Sequence, residues 1–142
     1  MADSVPVLRH TVLDGTDIRT LAEFYRQLLS LVYRPGHEPP PPGEDDACAR
    51  DWLVLRNPNG PPLAFQHVDE LPRATWPDIR VPQQLHLDMT VPSVEEMDVQ
   101  HQRVLGLGGE LLHDASDDPE EPLRVYADPA GHPFCIFVWP AG

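Results

Sequence analysis

Residues 8–14 read Leu-Arg-His-Thr-Val-Leu-Asp, and residues 84–90 read Gln-Leu-His-Leu-Asp-Met-Thr. Each stretch is typical of a β-strand and has a histidine at its third position, His10 in the first and His86 in the second. Seven residues after each histidine stands a residue that favours the start of a helix, an aspartate in one case and a serine in the other. At the same offset of 76 residues, five apolar positions after the aspartate fall on apolar positions after the serine. The sequence therefore predicts an internal repeat.

A helix is predicted after each of these strands. Residues 18–30 carry apolar side chains at the i, i+3, i+4, i+7 spacing of an amphipathic helix, and Asp17 is placed to cap it. Residues 94–105 follow Ser93, which opens an S-x-x-E capping box. Glycines directly after residue 105 favour the end of this second helix.

Three further strands are predicted after each helix. They span residues 31–34, 52–56 and 63–68 in the first half and residues 110–113, 123–127 and 134–138 in the second. The last two strands of each half flank an Asn-Pro-x-Gly or Asp-Pro-x-Gly turn, a typical hairpin signal. The predicted fold class is α+β, with two β-α-β-β-β modules. One domain, residues 1–142, would contain module one at 5–68, a linker at 69–83 and module two at 84–139.

A proline-rich segment interrupts the first module. Residues 35–51 include four consecutive prolines and the acidic run Glu44-Asp45-Asp46. Such a composition excludes a central strand and predicts a solvated loop with a polyproline II stretch. Two interpretations remain open, a tolerated insertion and a mobile lid over a pocket.

Composition limits the possible partners. The chain has 142 residues, 41% of them hydrophobic, which is enough for a core. Its formal charge of −13 argues against binding to nucleic acid or to an anionic membrane surface. All ten basic residues are arginine, so lysine Schiff-base chemistry is excluded. Two cysteines form neither a disulfide framework nor a CxxC motif, and no apolar run approaches the length of a membrane span, so a cytoplasmic location is expected.

The repeat and its motifs together resemble the vicinal oxygen chelate superfamily. The resemblance rests on the paired modules with their first-strand histidines, on the helix sequence at residues 17–29 and on D-P-A-G-H-P-F-C at residues 128–135. Glyoxalases, extradiol dioxygenases, fosfomycin-resistance enzymes and bleomycin-resistance proteins belong to this superfamily. The resemblance implies a curled, half-open mixed sheet or barrel with helices outside and a pocket inside. It also implies a homodimer.

The resemblance also implies four positions for metal ligands, on the first and last strands of each module. These positions are His10, His86, Cys135 and, depending on the length of the first hairpin, either Ala64 or Gln66. The carboxylates that the family usually supplies are absent from them, which disfavours Mg²⁺ and Mn²⁺. Two histidines and a cysteine are compatible with Zn²⁺. A pocket without any metal remains the alternative.

Further candidate residues lie near these positions. Asp14 and Asp88 are in step with the histidine of their own strands. Asp88 is the candidate catalytic residue, either orienting a histidine or acting as a base. The candidate substrate-binding residues are Asp14, Trp52, Phe65 and Phe137; core packing explains the three aromatic residues equally well.

Three classes of function follow. The leading prediction is a small-molecule-handling protein with an internal pocket and without the usual carboxylate metal site, similar to bleomycin-resistance proteins. The second is a metal-dependent lyase, isomerase or dioxygenase-type enzyme, and the third is a regulatory or interaction domain without a ligand. Because the chain is strongly acidic, a cationic or neutral ligand is expected rather than an anionic one.

Overall fold

The computed structural model describes residues 4–139, which divide into two compact units between Val68 and Asp69. The first unit contains β1 (Thr11–Gly15), α1 (Ile18–Leu29), β2 (Val32–Tyr33), β3 (Trp52–Arg56) and β4 (Leu63–His67). The second contains β5 (Leu87–Val91), α2 (Val94–Gly106), β6 (Glu110–Ala115), β7 (Leu123–Ala127) and β8 (Pro133–Val138). Among the described residues, no helix is long and apolar enough to cross a membrane.

Each unit has an open, mixed sheet of four strands with the same topology. The strand orders are β1-β4-β3-β2 and β5-β8-β7-β6, and in each sheet the first strand is parallel to the last while the other neighbours are antiparallel. The α+β class and the repeated β-α-β-β-β modules are therefore confirmed. One detail was wrong: strand pairing begins at Thr11 and Leu87, so His10 and His86 precede their strands instead of lying within them.

Both helices begin where the capping residues predict. The Asp17 carboxylate accepts the backbone N–H of Thr20 at 3.1 Å, and the Ser93 hydroxyl accepts that of Glu96 at 3.2 Å. Side-chain acceptors at these positions satisfy N–H groups that have no partner inside the helix. The apolar face of α1 is buried, including its aromatic pair; the buried residues are Ile18, Leu21, Ala22, Phe24, Tyr25 and Leu28.

The core of the second unit lies between α2 and one face of its sheet. Met97 and Val104 of α2 are fully buried, and Tyr126 and Phe134 stack with their ring centroids 5.4 Å apart. The Tyr126 hydroxyl lies 2.9 Å from His101 Nδ1, so this buried phenol has a hydrogen-bond partner. Burial raises the pKa of Tyr126 to about 12.

The proline-rich segment of the first unit is attached to α1 rather than fully solvated. The Arg19 guanidinium forms hydrogen bonds of 2.8 and 2.9 Å with the Asp46 carboxylate, and it donates to the backbone carbonyl of His37 at 2.8 Å. Its Cζ lies 5.1 Å from the centre of the Tyr33 ring. A short 3₁₀-helix, Cys48–Arg50, also lies in this segment, where the composition predicted only a loop.

The hairpin between β7 and β8 is a tight turn built on Asp128. Its carboxylate accepts the backbone N–H groups of Ala130 and His132 at 2.9 and 3.0 Å. Gly131 has a φ of 95°, a conformation that side chains with a Cβ rarely adopt. A Cβ at this position would lie 3.0 Å from Cγ of Arg73. Glycine is therefore favoured here by backbone conformation, and an added methyl group would also require the Arg73 side chain to shift.

We expect Gly131→Ala to lower the free energy of unfolding by about 1–3 kcal/mol, because the strained backbone conformation must be kept or relaxed at a cost. Gly108→Ala is the matched control, since Gly108 has a φ of 105° but no atom within 4 Å of the position that an added methyl group would take. Urea unfolding of both variants separates backbone strain from the contact with Arg73. Equal destabilisation of the two variants would show that the contact contributes nothing.

Candidate functional site

Three potential metal ligands lie together in the second unit. They are His86, Asp88 and Cys135, whose donor atoms all fall within 4.8 Å of one another. His86 Nε2 is 3.2 Å from Asp88 Oδ1, and the Cys135 thiol donates to the same oxygen over 2.7 Å. The His86 and Asp88 side chains are 48% and 54% exposed, so an ion has access to the cluster from solvent.

Strand pairing explains why these side chains meet. Asp88 of β5 and Cys135 of β8 are direct partners in the parallel pair, so their side chains point to the same face of the sheet. His86 lies two residues before Asp88 and one residue before the strand begins. Positions two residues apart along an extended chain share a face, which brings the imidazole towards the carboxylate.

The local environment keeps Cys135 protonated at neutral pH. Burial, the hydrogen bond to Asp88 and the negative charges of Asp88 and Glu121 together raise the pKa of the thiol to about 12. A thiolate is the nucleophilic form of cysteine. Without a bound cation, Cys135 is therefore a hydrogen-bond donor and not a nucleophile.

The raised pKa predicts a loss of stability in alkaline solution. The folded state holds the thiol proton more tightly than the unfolded state, so this contribution is complete below about pH 9 and is lost as the pH rises towards 12. We expect the urea midpoint of the native chain to fall between about pH 8 and about pH 11 by more than that of Cys135→Ala, because the variant has no thiol at this position to ionise. A difference that does not change with pH would contradict the assignment of the raised pKa.

A cavity of about 540 Å³ adjoins the cluster within the second unit. It is lined by Trp76, Pro77, Gln83, His86, His113, Leu123, Val125, Pro133, Phe134 and Cys135. Mostly apolar walls with a few polar groups are typical of small-molecule sites. Among the residues that the structure describes, this lining includes two histidines but no arginine.

Two parts of the cavity wall were not predicted from the sequence. Trp76 and Pro77 belong to residues 69–83, which the sequence predicts only as a linker. The available signal was a large aromatic residue in a connecting segment. His113 lies on β6, where the pairing shifts by one residue at a β-bulge between Leu111 and His113. A count of alternating positions does not reveal such an insertion.

The candidate residues of the first unit lie near one another on its sheet. The His10 and Trp52 ring centroids are 5.7 Å apart. Asp14 and Gln66 are cross-strand partners, and Gln66 also pairs with Trp52. The convergence of the predicted quartet in one cavity stays a prediction.

Strand register distinguishes between Ala64 and Gln66, the two alternatives for the fourth ligand position that depended on the length of the first hairpin. Val12 pairs with Ala64 in the first unit, just as Asp88 pairs with Cys135 in the second, and Val12 and Asp88 are related by the repeat offset of 76 residues. Ala64 is therefore the counterpart of Cys135. It is fully buried and has no donor atom, whereas Gln66 is exposed.

The two remaining aromatic candidates occupy different environments. Phe65 is fully buried and stacks against Tyr25, with ring centroids 6.0 Å apart. Phe137 is half-buried, follows Cys135 by two residues on the same face of β8 and makes an edge contact with Trp139. Phe65 thus contributes to the core beneath α1, and Phe137 extends the face that carries the cysteine.

The donor atoms of the cluster fit a transition metal. Zn²⁺ takes histidine nitrogen, cysteine sulfur and carboxylate oxygen at about 2.0–2.3 Å, often with three protein ligands and one open position. Mg²⁺ and Ca²⁺ prefer sites built from oxygen alone. His86, Asp88 and Cys135 supply one donor of each kind, so the set fits Zn²⁺ and excludes an oxygen-only site at this place.

Comparison with known proteins identifies one family whose sequence pattern extends over most of this chain. A family model described as a glyoxalase-like domain matches residues 10–137, whereas no curated protein matches this chain in sequence. The fosfomycin resistance protein FosX from Listeria monocytogenes is 16% identical, with a TM-score of 0.68 over 98% of this chain and 95% of that chain.

Two further solved structures have the same fold. A glyoxalase/bleomycin resistance protein/dioxygenase family enzyme from Burkholderia phytofirmans is 14% identical, with a TM-score of 0.66 over 92% of this chain and 96% of that chain. A mutant of the Listeria FosX, crystallised with manganese(II) and 1S,2S-dihydroxypropylphosphonic acid, is 15% identical, with a TM-score of 0.65 over 94% and 90% of the two chains. At these identities the similarity establishes the fold.

Proposed function

Because this chain belongs to the glyoxalase-like family of the vicinal oxygen chelate superfamily, we propose that it binds a small molecule in the cavity of its second unit and holds a divalent transition metal at the cavity wall. His86, Asp88 and Cys135 would be the protein ligands. The observation that carries the proposal is the position of this cluster: two of its three members also line the 540 Å³ cavity.

The metal site would differ from the quartet implied by the family resemblance. Asp88 supplies a carboxylate from a position that the resemblance does not assign to a ligand, and it lies 3.2 Å from His86 and 2.7 Å from Cys135. Ala64, at the register counterpart of Cys135, has no donor atom to offer. All three proposed ligands thus lie in the second module.

A divalent ion held by these residues would supply Lewis-acid chemistry towards a carbonyl or hydroxyl oxygen of a ligand. The protein residues have separate tasks. When no cation is bound, the Asp88 carboxylate lies 3.2 Å from His86 Nε2 and accepts a hydrogen bond from the Cys135 thiol, which keeps the three side chains together. The apolar walls from Leu123, Val125 and neighbouring residues displace water from the ligand.

The charge distribution favours a neutral or cationic ligand. The described cavity lining contains no arginine, the chain contains no lysine, and the Glu121 carboxylate is close enough to act on the Cys135 thiol. An anionic ligand would have to be neutralised by the metal or by a histidine alone. The phosphonate ligand of the Listeria protein is therefore not the expected class here.

The test is a zinc titration of tag-free protein by isothermal calorimetry, with native mass spectrometry counting ions per chain and reporting the predicted homodimer. We expect one zinc ion per chain in the native protein and in Cys48→Ala, and none in Cys135→Ala. Cys48 is the matched control because it is the only other cysteine and lies outside the cluster.

Failure of zinc, iron, cobalt, nickel and manganese to bind the native chain would refute the metal site. In that case the hydrogen bond between Cys135 and Asp88 favours the second candidate, a metal-free binding protein, because it satisfies both groups without an ion. Ligand-induced shifts in melting temperature with neutral and cationic aromatic compounds would then test the cavity alone.

A further inference from the structure

His113 occupies the cavity wall because of a one-residue insertion in β6. On one side of the irregularity Leu111 pairs with Tyr126, and on the other His113 pairs with Val125. In a regular antiparallel ladder Leu112 would be the partner of Val125, and His113 would point to the opposite face. Bulges of this kind change which side chain a strand presents and occur next to functional sites.

The insertion aligns His113 with the cluster formed by His86, Asp88 and Cys135. Cross-strand pairing runs from Asp88 to Cys135, from Cys135 to Val125 and from Val125 to His113, so the four residues form one row on the cavity face of the sheet. Two strand spacings separate Cys135 from His113, which corresponds to about 10 Å between their Cα atoms. The cavity therefore has one polar end at the cluster and another at His113.

Along this row, the wall between the two ends is apolar at Val125. Val125 stands midway along the row, and the Trp76 ring makes an edge contact with the His113 imidazole at a centroid distance of 6.2 Å. An imidazole donates or accepts a hydrogen bond, depending on its tautomer. A ring-shaped ligand that reaches His113 from the cluster would lie along an apolar surface and meet a hydrogen-bonding group at its far end.

We infer that His113 is a specificity-determining residue, which selects neutral aromatic ligands with a hydroxyl group at the end opposite their metal-binding group. This inference rests on the proposed ligand cavity, and the binding of the ligand's metal-binding group rests on the proposed metal site. Recognition of the hydroxyl group depends on His113 and not on the ion. The role of His113 is therefore testable both with and without an ion.

The test uses two matched pairs of probes and three forms of the full chain: native, His113→Phe and His113→Gln. Benzohydroxamic acid and 4-hydroxybenzohydroxamic acid are titrated into zinc-loaded protein. Toluene and p-cresol are titrated into metal-free protein, with binding followed by chemical shifts in two-dimensional nuclear magnetic resonance spectra. In each pair the second probe adds only a hydroxyl group at the far end of the ring.

We expect the hydroxyl to tighten binding to the native chain by about 3- to 10-fold, the size of one net hydrogen bond. His113→Phe should remove this gain while leaving the unhydroxylated probe within about twofold, and His113→Gln should restore part of it. Because His113 is exposed, neither variant is expected to disturb folding, and a melting curve checks this.

An equal gain from the hydroxyl in the native chain and in His113→Phe would overturn the inference and leave the metal site standing. Zinc failing to bind while p-cresol retains its His113-dependent advantage would refute the metal site and uphold the inference. Absence of binding by all four probes would overturn the inference, and the zinc titration would still decide the metal site separately.

Discussion

Replacing Asp88 with asparagine is expected to weaken zinc binding by at least about 100-fold. Changes to groups that merely support a metal ligand cost about 10–100-fold, and Asp88 would be a ligand itself. Its carboxylate also contacts both other members of the cluster, at 3.2 Å to His86 and 2.7 Å to Cys135. The neutral amide is nearly the same size, so packing is preserved while the negative charge is lost.

Competition titrations with a chromophoric zinc chelator measure this change directly. Asp117→Asn is the matched control, because it removes the same charge from an exposed acidic turn that is outside the cluster. We expect Asp117→Asn to bind zinc within about twofold of the native chain. If the two variants weaken binding equally, Asp88 acts through net charge and is not a ligand.

Truncation of Phe134 to alanine is expected to lower the free energy of unfolding by about 3–5 kcal/mol. Phe134 is fully buried, stacks on Tyr126 and lies at the junction between the core and the cavity. Its removal deletes apolar contacts and leaves a void that the sheet cannot readily close. The loss is a large fraction of the stability of a typical domain.

Urea unfolding of Phe134→Ala and Phe137→Ala provides the comparison. The two residues belong to the same strand, but Phe137 is half-buried. We expect Phe137→Ala to lose less than half as much free energy of unfolding. A loss below about 1.5 kcal/mol for Phe134→Ala would mean that the core between α2 and the sheet is not packed as described.

Much of the fold could be predicted because local signals agree with the repeat. Asp17, Ser93 and Gly131 mark helix starts and a turn by chemistry that depends on neighbouring residues alone, and each performs the expected role. The strand boundaries before Thr11 and Leu87 were less accessible. They depend on where a partner strand begins, and this information lies more than forty residues away in the sequence.

The candidate site was predictable where it follows strand alternation and unpredictable where it does not. Alternation placed Asp88 in step with His86, and the structure brings both together with Cys135. His113 could not be assigned, because one inserted residue reverses the face that the rest of β6 presents. Trp76 was missed because a connecting segment has no periodicity from which to infer the direction of a side chain.

The strand register places apolar residues of the first unit at two of the three positions that form the cluster in the second unit. Val12 and Ala64 stand where the second unit has Asp88 and Cys135, and the repeat offset places His10 opposite His86. The first unit therefore provides a sheet of the same topology in which the donor types of the second unit can be rebuilt. Val12→Asp and Ala64→Cys would place a carboxylate and a thiol on paired residues, with the carboxylate two positions along the chain from His10.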